Sequence, residues 1–68
     1  MTEKAANIAG IIVNEQLAHF GLMTTFDEAV RSRKLEAVIE VLQQAQLSQS
    51  QAEYTAKIIL ANPGHYGY

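Results

Sequence analysis

The stretch "LEAVIEVLQQAQLSQSQAEYTAKIIL", Leu35 to Leu60, decides the fold class. Its first part has apolar residues at the spacing i, i+3, i+4, i+7, which marks one face of an α-helix. Those residues are Leu35, Val38, Ile39 and Leu42. After a polar interval rich in Gln and Ser, helical spacing returns at Ala52, Ala56, Ile59 and Leu60. The stretch therefore predicts two helices joined by a short polar turn.

The second of these helices is predicted from about Gln49 to Ala61, and its start can be capped in two ways. A Ser or Thr followed three residues later by Glu or Gln forms a capping box, in which two helix-terminal N–H groups find partners. Ser50 with Glu53 fits this pattern, and Ser48 with Gln51 is a competing pair. The sequence leaves both starts open.

Earlier in the chain the sequence predicts more helix. A first helix is expected from about Glu3 to Phe20, with Gly21 as its C-terminal stop. A second helical region begins at "TTFDEAV", where Thr25 and Glu28 form a further capping box.

The polar segment "RSRK", Arg31 to Lys34, interrupts the apolar pattern of that region. The stripe that follows it points roughly opposite to Phe26 and Val30 at the helical repeat of 100° per residue. Either the helix breaks near Ser32, or one long helix over residues 26–46 has two apolar faces. Both alternatives fit the sequence.

The predicted fold is all-α, a small bundle of three or four short helices. Residues 1–62 form a single helical domain, and residues 63–68 form an aromatic tail after a Pro-Gly turn, for which a type II turn is expected. The chain has 68 residues and no cysteine, so a small core must be stabilised without disulfides. Each helix carries more apolar surface than one neighbour covers, and we therefore expect a homodimer.

Composition and charge exclude several function classes. The net charge is −2, and the pI of about 5.5 does not suit a basic nucleic-acid surface. No apolar run is long enough to span a bilayer, and no signal peptide is evident, so we expect a cytoplasmic protein with no membrane contact. Nucleophilic and metal motifs are missing, and we expect no enzymatic activity and no cofactor. Glu15 and His19, four residues apart, are interpreted as a helix-surface pair.

Candidate contact residues come from the surplus apolar and aromatic side chains. One predicted patch consists of Tyr54, Ile58, Tyr66 and Tyr68. A second consists of Phe26 and Val30. The tail itself has three open interpretations: it folds back on the bundle, it crosses to a second subunit, or it is a docking peptide. Arg31, Arg33 and Lys34 are candidates for contact with an anion or an acidic partner.

These features favour a small non-enzymatic interaction module, a regulator or inhibitor that binds another protein through a helical apolar surface. The alternative is a dimeric DNA-binding regulator with a helix-turn-helix-like segment at residues 35–61. The hexapeptide "LSQSQA", Leu47 to Ala52, resembles the opening of the first helix in phage-repressor-type domains. The resemblance covers only these six residues, and no recognition helix follows them.

Overall fold

The structure of the protein is a computed structural model that describes residues 7–8 and 11–68. It begins with a short antiparallel pairing of β1 (Asn7–Ile8) with β2 (Ile11–Ile12), in which Asn7 lies opposite Ile12 and Ile8 opposite Ile11. The helical elements are α1 (Val13–His19), α2 (Met23–Ser32), α3 (Leu35–Gln44), α4 (Gln49–Ala61) and a 3₁₀ helix, Pro63–Tyr66. The expected small all-α fold is therefore confirmed for the described part of the chain.

The first helix is much shorter than predicted. Helix α1 begins at Val13, and residues 7–8 and 11–12 form the two paired strands, so the predicted helix is wrong there. Its predicted start at Glu3 lies outside the described residues. The β-branched side chains of Ile8, Ile11 and Ile12 favour extended backbone. These preferences outweigh the helical spacing of the apolar residues.

The predicted stop of the first helix is confirmed. Gly21 has a φ of 68°, in the left-handed region that glycine adopts without steric cost. Its N–H donates to the carbonyl of Ala18 at 3.1 Å, and the N–H of Leu22 donates to the carbonyl of Leu17 at 2.8 Å. This pair of bonds is a Schellman motif, which satisfies the last carbonyls of α1.

The chain between Phe26 and Gln46 forms two helices rather than one. Helix α2 ends at Ser32, and Arg33 adopts a left-handed φ of 60°. The backbone N–H and the guanidinium of Arg33 both donate to the carbonyl of Val30, at 3.0 and 2.9 Å. Helix α2 begins at Met23 without a side-chain cap, so the predicted capping box at Thr25 is wrong.

The turn between α3 and α4 repeats the Schellman geometry without glycine. Gln46 has a φ of 74°, and its N–H donates to the carbonyl of Gln43 at 2.9 Å. The N–H of Leu47 donates to the carbonyl of Leu42 at 3.1 Å, and both leucines are buried. The turn therefore seats an apolar side chain in the core directly before α4 begins.

Helix α4 starts with the capping box of Ser48 and Gln51. The Ser48 hydroxyl accepts from the Gln51 N–H at 3.2 Å, and the Gln51 side chain accepts from the Ser48 N–H at 3.1 Å. The competing pair of Ser50 and Glu53 does not cap the helix. The predicted extent of α4, Gln49 to Ala61, is confirmed.

The core forms where the inner faces of the four α-helices meet. Its largest fully buried side chains are those of Val13, Leu17, Val30, Val38, Leu42, Thr55 and Ile59. The side-chain amide of Gln16 donates to the carbonyl of Ala45 at 3.0 Å, which ties α1 to the end of α3. Leu35, predicted on the core face of α3, is 37% exposed, and Val41 takes a core position instead.

The last residues fold back onto α2. Pro63–Tyr66 form the 3₁₀ helix, and the left-handed glycine is Gly67, with a φ of 92°. Gly64 has no positive φ, so the predicted type II turn is wrong. The Tyr68 hydroxyl donates to the Asp27 carboxylate, and this bond fixes the end of the described chain against the bundle.

None of the helices described for residues 13–68 has the length and apolar character needed to cross a bilayer.

Candidate functional site

A cleft of about 290 Å³ lies between α2, α4 and the folded-back tail, and we name it the tail cleft. Its apolar side chains are Met23, Phe26 and Ile59. The tail contributes Tyr66, Gly67 and Tyr68, and the remaining polar side chains are Asn14, Asp27 and Arg31. The cleft thus combines a buried apolar base with one acidic and one basic group.

Tyr68 is held in the cleft by two contacts. Its hydroxyl donates to Asp27, and its ring meets the edge of Phe26 at a centroid distance of 6.3 Å and an interplanar angle of 72°. Burial raises the pKa of Tyr68 strongly, and the hydrogen bond to Asp27 and the negative charge there raise it further, against an opposing effect of Arg31. Tyr68 therefore remains a protonated donor throughout the neutral pH range.

Asp27 and Arg31 lie four residues apart on α2, and both line the cleft. Side chains at this spacing lie on the same helix face. Asp27 is half-buried because the tail covers it, whereas Arg31 is exposed. The two opposite charges make the charged lining of the cleft neutral overall, with one acceptor group and one donor group.

The first predicted patch is divided between two surfaces. Tyr66 and Tyr68 are half-buried and line the tail cleft. Tyr54 is 51% exposed, and neither Tyr54 nor Ile58 lines the cleft. Tyr54 belongs to the outer face of α4, whereas Ile58 is half-buried and packs against the core at the border of that face.

The second predicted patch is part of the core. Phe26 is 2% exposed and Val30 is fully buried, so neither side chain is available to a partner in this fold. The reason is the break at Arg33: α2 is a separate helix, and its apolar stripe is the one that faces the bundle. What looked like a surplus face in the sequence is the inner face of α2.

The three basic residues of the "RSRK" segment have three different environments. Arg31 lines the tail cleft. Arg33 ends α2, and its guanidinium is bonded to the carbonyl of Val30. Lys34 is exposed, and its backbone N–H donates to the Ser32 hydroxyl at 3.3 Å just before α3 begins.

Sequence reasoning missed the role of Asp27. An acidic residue in the "TTFDEAV" stretch indicates by itself only a helix start, whereas the Asp27 carboxylate binds the tail and lines the cleft. The available signal was the spacing of Asp27 and Arg31 on one helix face. Its partner Tyr68 lies 41 residues away, and local patterns do not indicate such a pairing.

No group of three or more His, Cys, Asp or Glu side chains that could hold a metal ion occurs within the described residues. Glu15 and His19 are both exposed on α1. The His19 ring packs edge-on against Phe20, with a centroid distance of 4.7 Å.

The outer face of α4 carries a second stripe, which we name the α4 seam: Gln51, Tyr54, Ile58 and Ala61. Successive members are three, four and three residues apart, the alternation by which helices pair in coiled coils. Three of the four are exposed, and Ile58 is half-buried. The core face of α4 is formed by Ala52, Thr55, Ala56 and Ile59. Helix α4 therefore has one buried face and one largely exposed face, on which Ile58 is partly covered because it packs against the core.

Comparison of the chain with protein-family models, with curated proteins and with solved structures finds no match in any of the three.

Proposed function

We propose that the protein is a small cytoplasmic regulator or inhibitor without enzymatic activity, which binds another protein through the α4 seam. Copies of the chain pair through the same seam as a homodimer when that partner is absent. The observation that carries the proposal is the position of Tyr54. Tyr54 is the most exposed large hydrophobic side chain among residues 13–68, and it lies within a stripe with helix-pairing spacing.

The seam has the features of a helix that docks into a groove. Amphipathic helices bind through apolar anchors at i, i+3, i+4 and i+7, and Tyr54, Ile58 and Ala61 occupy positions i, i+4 and i+7. A tyrosine supplies a large apolar area together with a polar tip, which suits an interface between proteins. The partner would therefore present an apolar groove with a polar rim near the Tyr54 hydroxyl.

The energy available at the seam is large enough to measure. Covering the exposed half of Tyr54 and the exposed part of Ile58 is worth on the order of 2 kcal/mol per chain. That is a change of roughly thirtyfold in affinity. The mechanism is steric: the partner's groove is occupied and closed to other ligands.

Site-specific photocrosslinking tests the proposal. A photoreactive aromatic residue replaces Ala61, an exposed member of the seam, and a matched control carries it at Ala18, which is exposed on α1. We expect one dominant protein adduct from position 61 and none of that size from position 18. Adding Tyr54→Glu should abolish the adduct, because a carboxylate would then enter the apolar groove. Equal adducts from both positions, or an adduct that survives Tyr54→Glu, would contradict the proposal.

A dimeric DNA-binding regulator is the second candidate, and one observation favours it. Helices α3 and α4 are joined by a short turn with a left-handed residue, Gln46, which is how helix-turn-helix units are built. Exposed Ser50 and Tyr54 on α4 would be available to base edges, and Lys57 to phosphate.

The charge distribution on α4 favours protein binding over DNA binding. The side-chain amide of Gln49 donates to the Glu53 carboxylate at 3.0 Å, which places a negative charge at the start of α4. Binding of random duplex DNA at low salt, measured by fluorescence anisotropy, separates the two candidates. Even proteins that bind DNA without sequence specificity bind its backbone phosphates at low salt. If the protein does not bind DNA under those conditions, DNA binding is eliminated as its function.

A further inference from the structure

We propose that the tail cleft binds a small zwitterion with an apolar side chain, a free apolar amino acid being the simplest member of the class. The ligand's ammonium group would donate to Asp27, its carboxylate would accept from Arg31, and its side chain would lie on the apolar base. The site is separate from the α4 seam, because no seam residue lines the cleft.

The size of the cleft limits the class of ligand. Binding sites for small molecules have volumes of about 300–1,000 Å³, and the cleft volume of about 290 Å³ lies just below that range. The volume accepts one side chain with its head group. It excludes nucleotides and longer peptides.

The base of the cleft favours an apolar side chain. Phe26 and Ile59 are 2% and 1% exposed, so the core fixes their positions and they offer a ligand almost no free surface. Met23 is half-buried beside them, and an unbranched thioether side chain adapts to ligands of different shape. An aliphatic group of a ligand would therefore contact chiefly Met23 and the rings of Tyr66 and Tyr68, which are half-buried and line the cleft.

The charges favour a ligand that carries both signs. Asp27 attracts an ammonium group, and Arg31 binds a carboxylate through two parallel hydrogen bonds. Asp27 repels a carboxylate, and Arg31 repels an ammonium group. A ligand with a single charge therefore meets one attractive and one repulsive side chain. A zwitterion meets two attractive ones.

The tail orients the acidic group. The Tyr68 hydroxyl donates to Oδ1 of Asp27, which fixes the carboxylate while leaving lone pairs for a second donor. Tyr68 is itself a neutral donor in the neutral pH range, so it adds no charge to the site. The folded-back tail therefore completes the cleft as well as closing one end of the bundle.

The test compares three ligands by amide chemical-shift titration of the full chain. Leucine carries both charges, N-acetyl-leucine only the negative one, and leucinamide only the positive one. We expect leucine to shift amides of α2 and the tail saturably in the millimolar range, and both blocked compounds to bind at least tenfold more weakly. Equal binding of all three, or no saturable shift with leucine, overturns the proposal.

Charge variants separate recognition from a merely structural role. Arg31→Gln should weaken leucine and N-acetyl-leucine at least tenfold and leave leucinamide unchanged or stronger. Asp27→Asn should have the reverse selectivity, weakening leucine and leucinamide. Lys34→Gln and Glu28→Gln are matched controls, because both residues are exposed and neither lines the cleft. A uniform loss for all three ligands would mean that the variant only loosens the tail, and would contradict the assignment. Failure here leaves the α4 seam and its test untouched.

Discussion

Replacing Thr55 with valine should stabilise the protein. Thr55 is fully buried in α4, and its hydroxyl is the buried side-chain polar atom that finds no hydrogen-bond partner within the described chain. A buried hydroxyl without a partner costs about 1–3 kcal/mol in desolvation. Valine has nearly the same shape and no polar atom, so it removes this cost while preserving the packing. We expect the free energy of unfolding to rise by about 1 kcal/mol.

The assay is urea unfolding followed by circular dichroism, with thermal unfolding as a second measurement. A gain of about 1 kcal/mol raises the Tm by roughly 4–8 °C in a domain of this size. Thr55→Ser is the matched control, because it keeps the hydroxyl and deletes the methyl group. That variant should lose about 1 kcal/mol through the small cavity it creates. A destabilised Thr55→Val would mean that the hydroxyl is bonded, for example to a carbonyl one turn earlier, and would refute the reasoning.

Two further predictions concern the turn and the tail. Gln46→Gly should stabilise the fold by roughly 0.5–1 kcal/mol, because glycine removes the steric cost of a left-handed φ, and the entropy that glycine adds to the unfolded chain offsets only part of that gain. Gln46→Val should destabilise the fold, because a β-branched residue does not suit a left-handed φ. Equal stabilities of the two variants and wild type in urea unfolding would contradict this prediction. Tyr68→Phe should lower stability by about 1 kcal/mol near neutral pH, since the Asp27 carboxylate loses its donor. The pKa of Tyr68 is raised in the folded state, so its contribution is fully present below the pKa of an unfolded tyrosine, about 10, and is lost as the pH rises above it. The stability difference between wild type and Tyr68→Phe should therefore shrink at alkaline pH, and a difference that stays constant would argue against the bond.

Helices α3 and α4 could be predicted from sequence because their apolar residues repeat at helical spacing. The exact start of α4 could not be, since two capping boxes overlap there. The left-handed Gln46 and buried Leu47 decide between them, because together they place Ser48 at the helix start. The local sequence pattern indicated both capping boxes, and the packing of the turn between α3 and α4 determines which of them forms.

The larger errors in the sequence prediction have the same cause, because they also depend on packing that local patterns do not indicate. Ile8 and Ile12 match a helical stripe, yet they are β-branched and form part of the paired strands. Phe26 and Val30 form a surplus face only if residues 26–46 are one helix, and the break at Arg33 excludes that alternative. The tail cleft depends on a contact between Asp27 and Tyr68, and a pairing of such sequence separation is set by the assembled fold.

The central claim is that copies of the chain pair through the outer face of α4. Sedimentation equilibrium tests this claim most directly. Wild type, Tyr54→Glu and the Ala18→Glu control would be compared from low micromolar to low millimolar concentration. We predict that the masses of wild type and Ala18→Glu rise with concentration from 7.5 kDa toward twice that value, whereas Tyr54→Glu stays near 7.5 kDa. A wild type that remains at 7.5 kDa throughout, or a Tyr54→Glu variant that associates as strongly as wild type, would contradict the account.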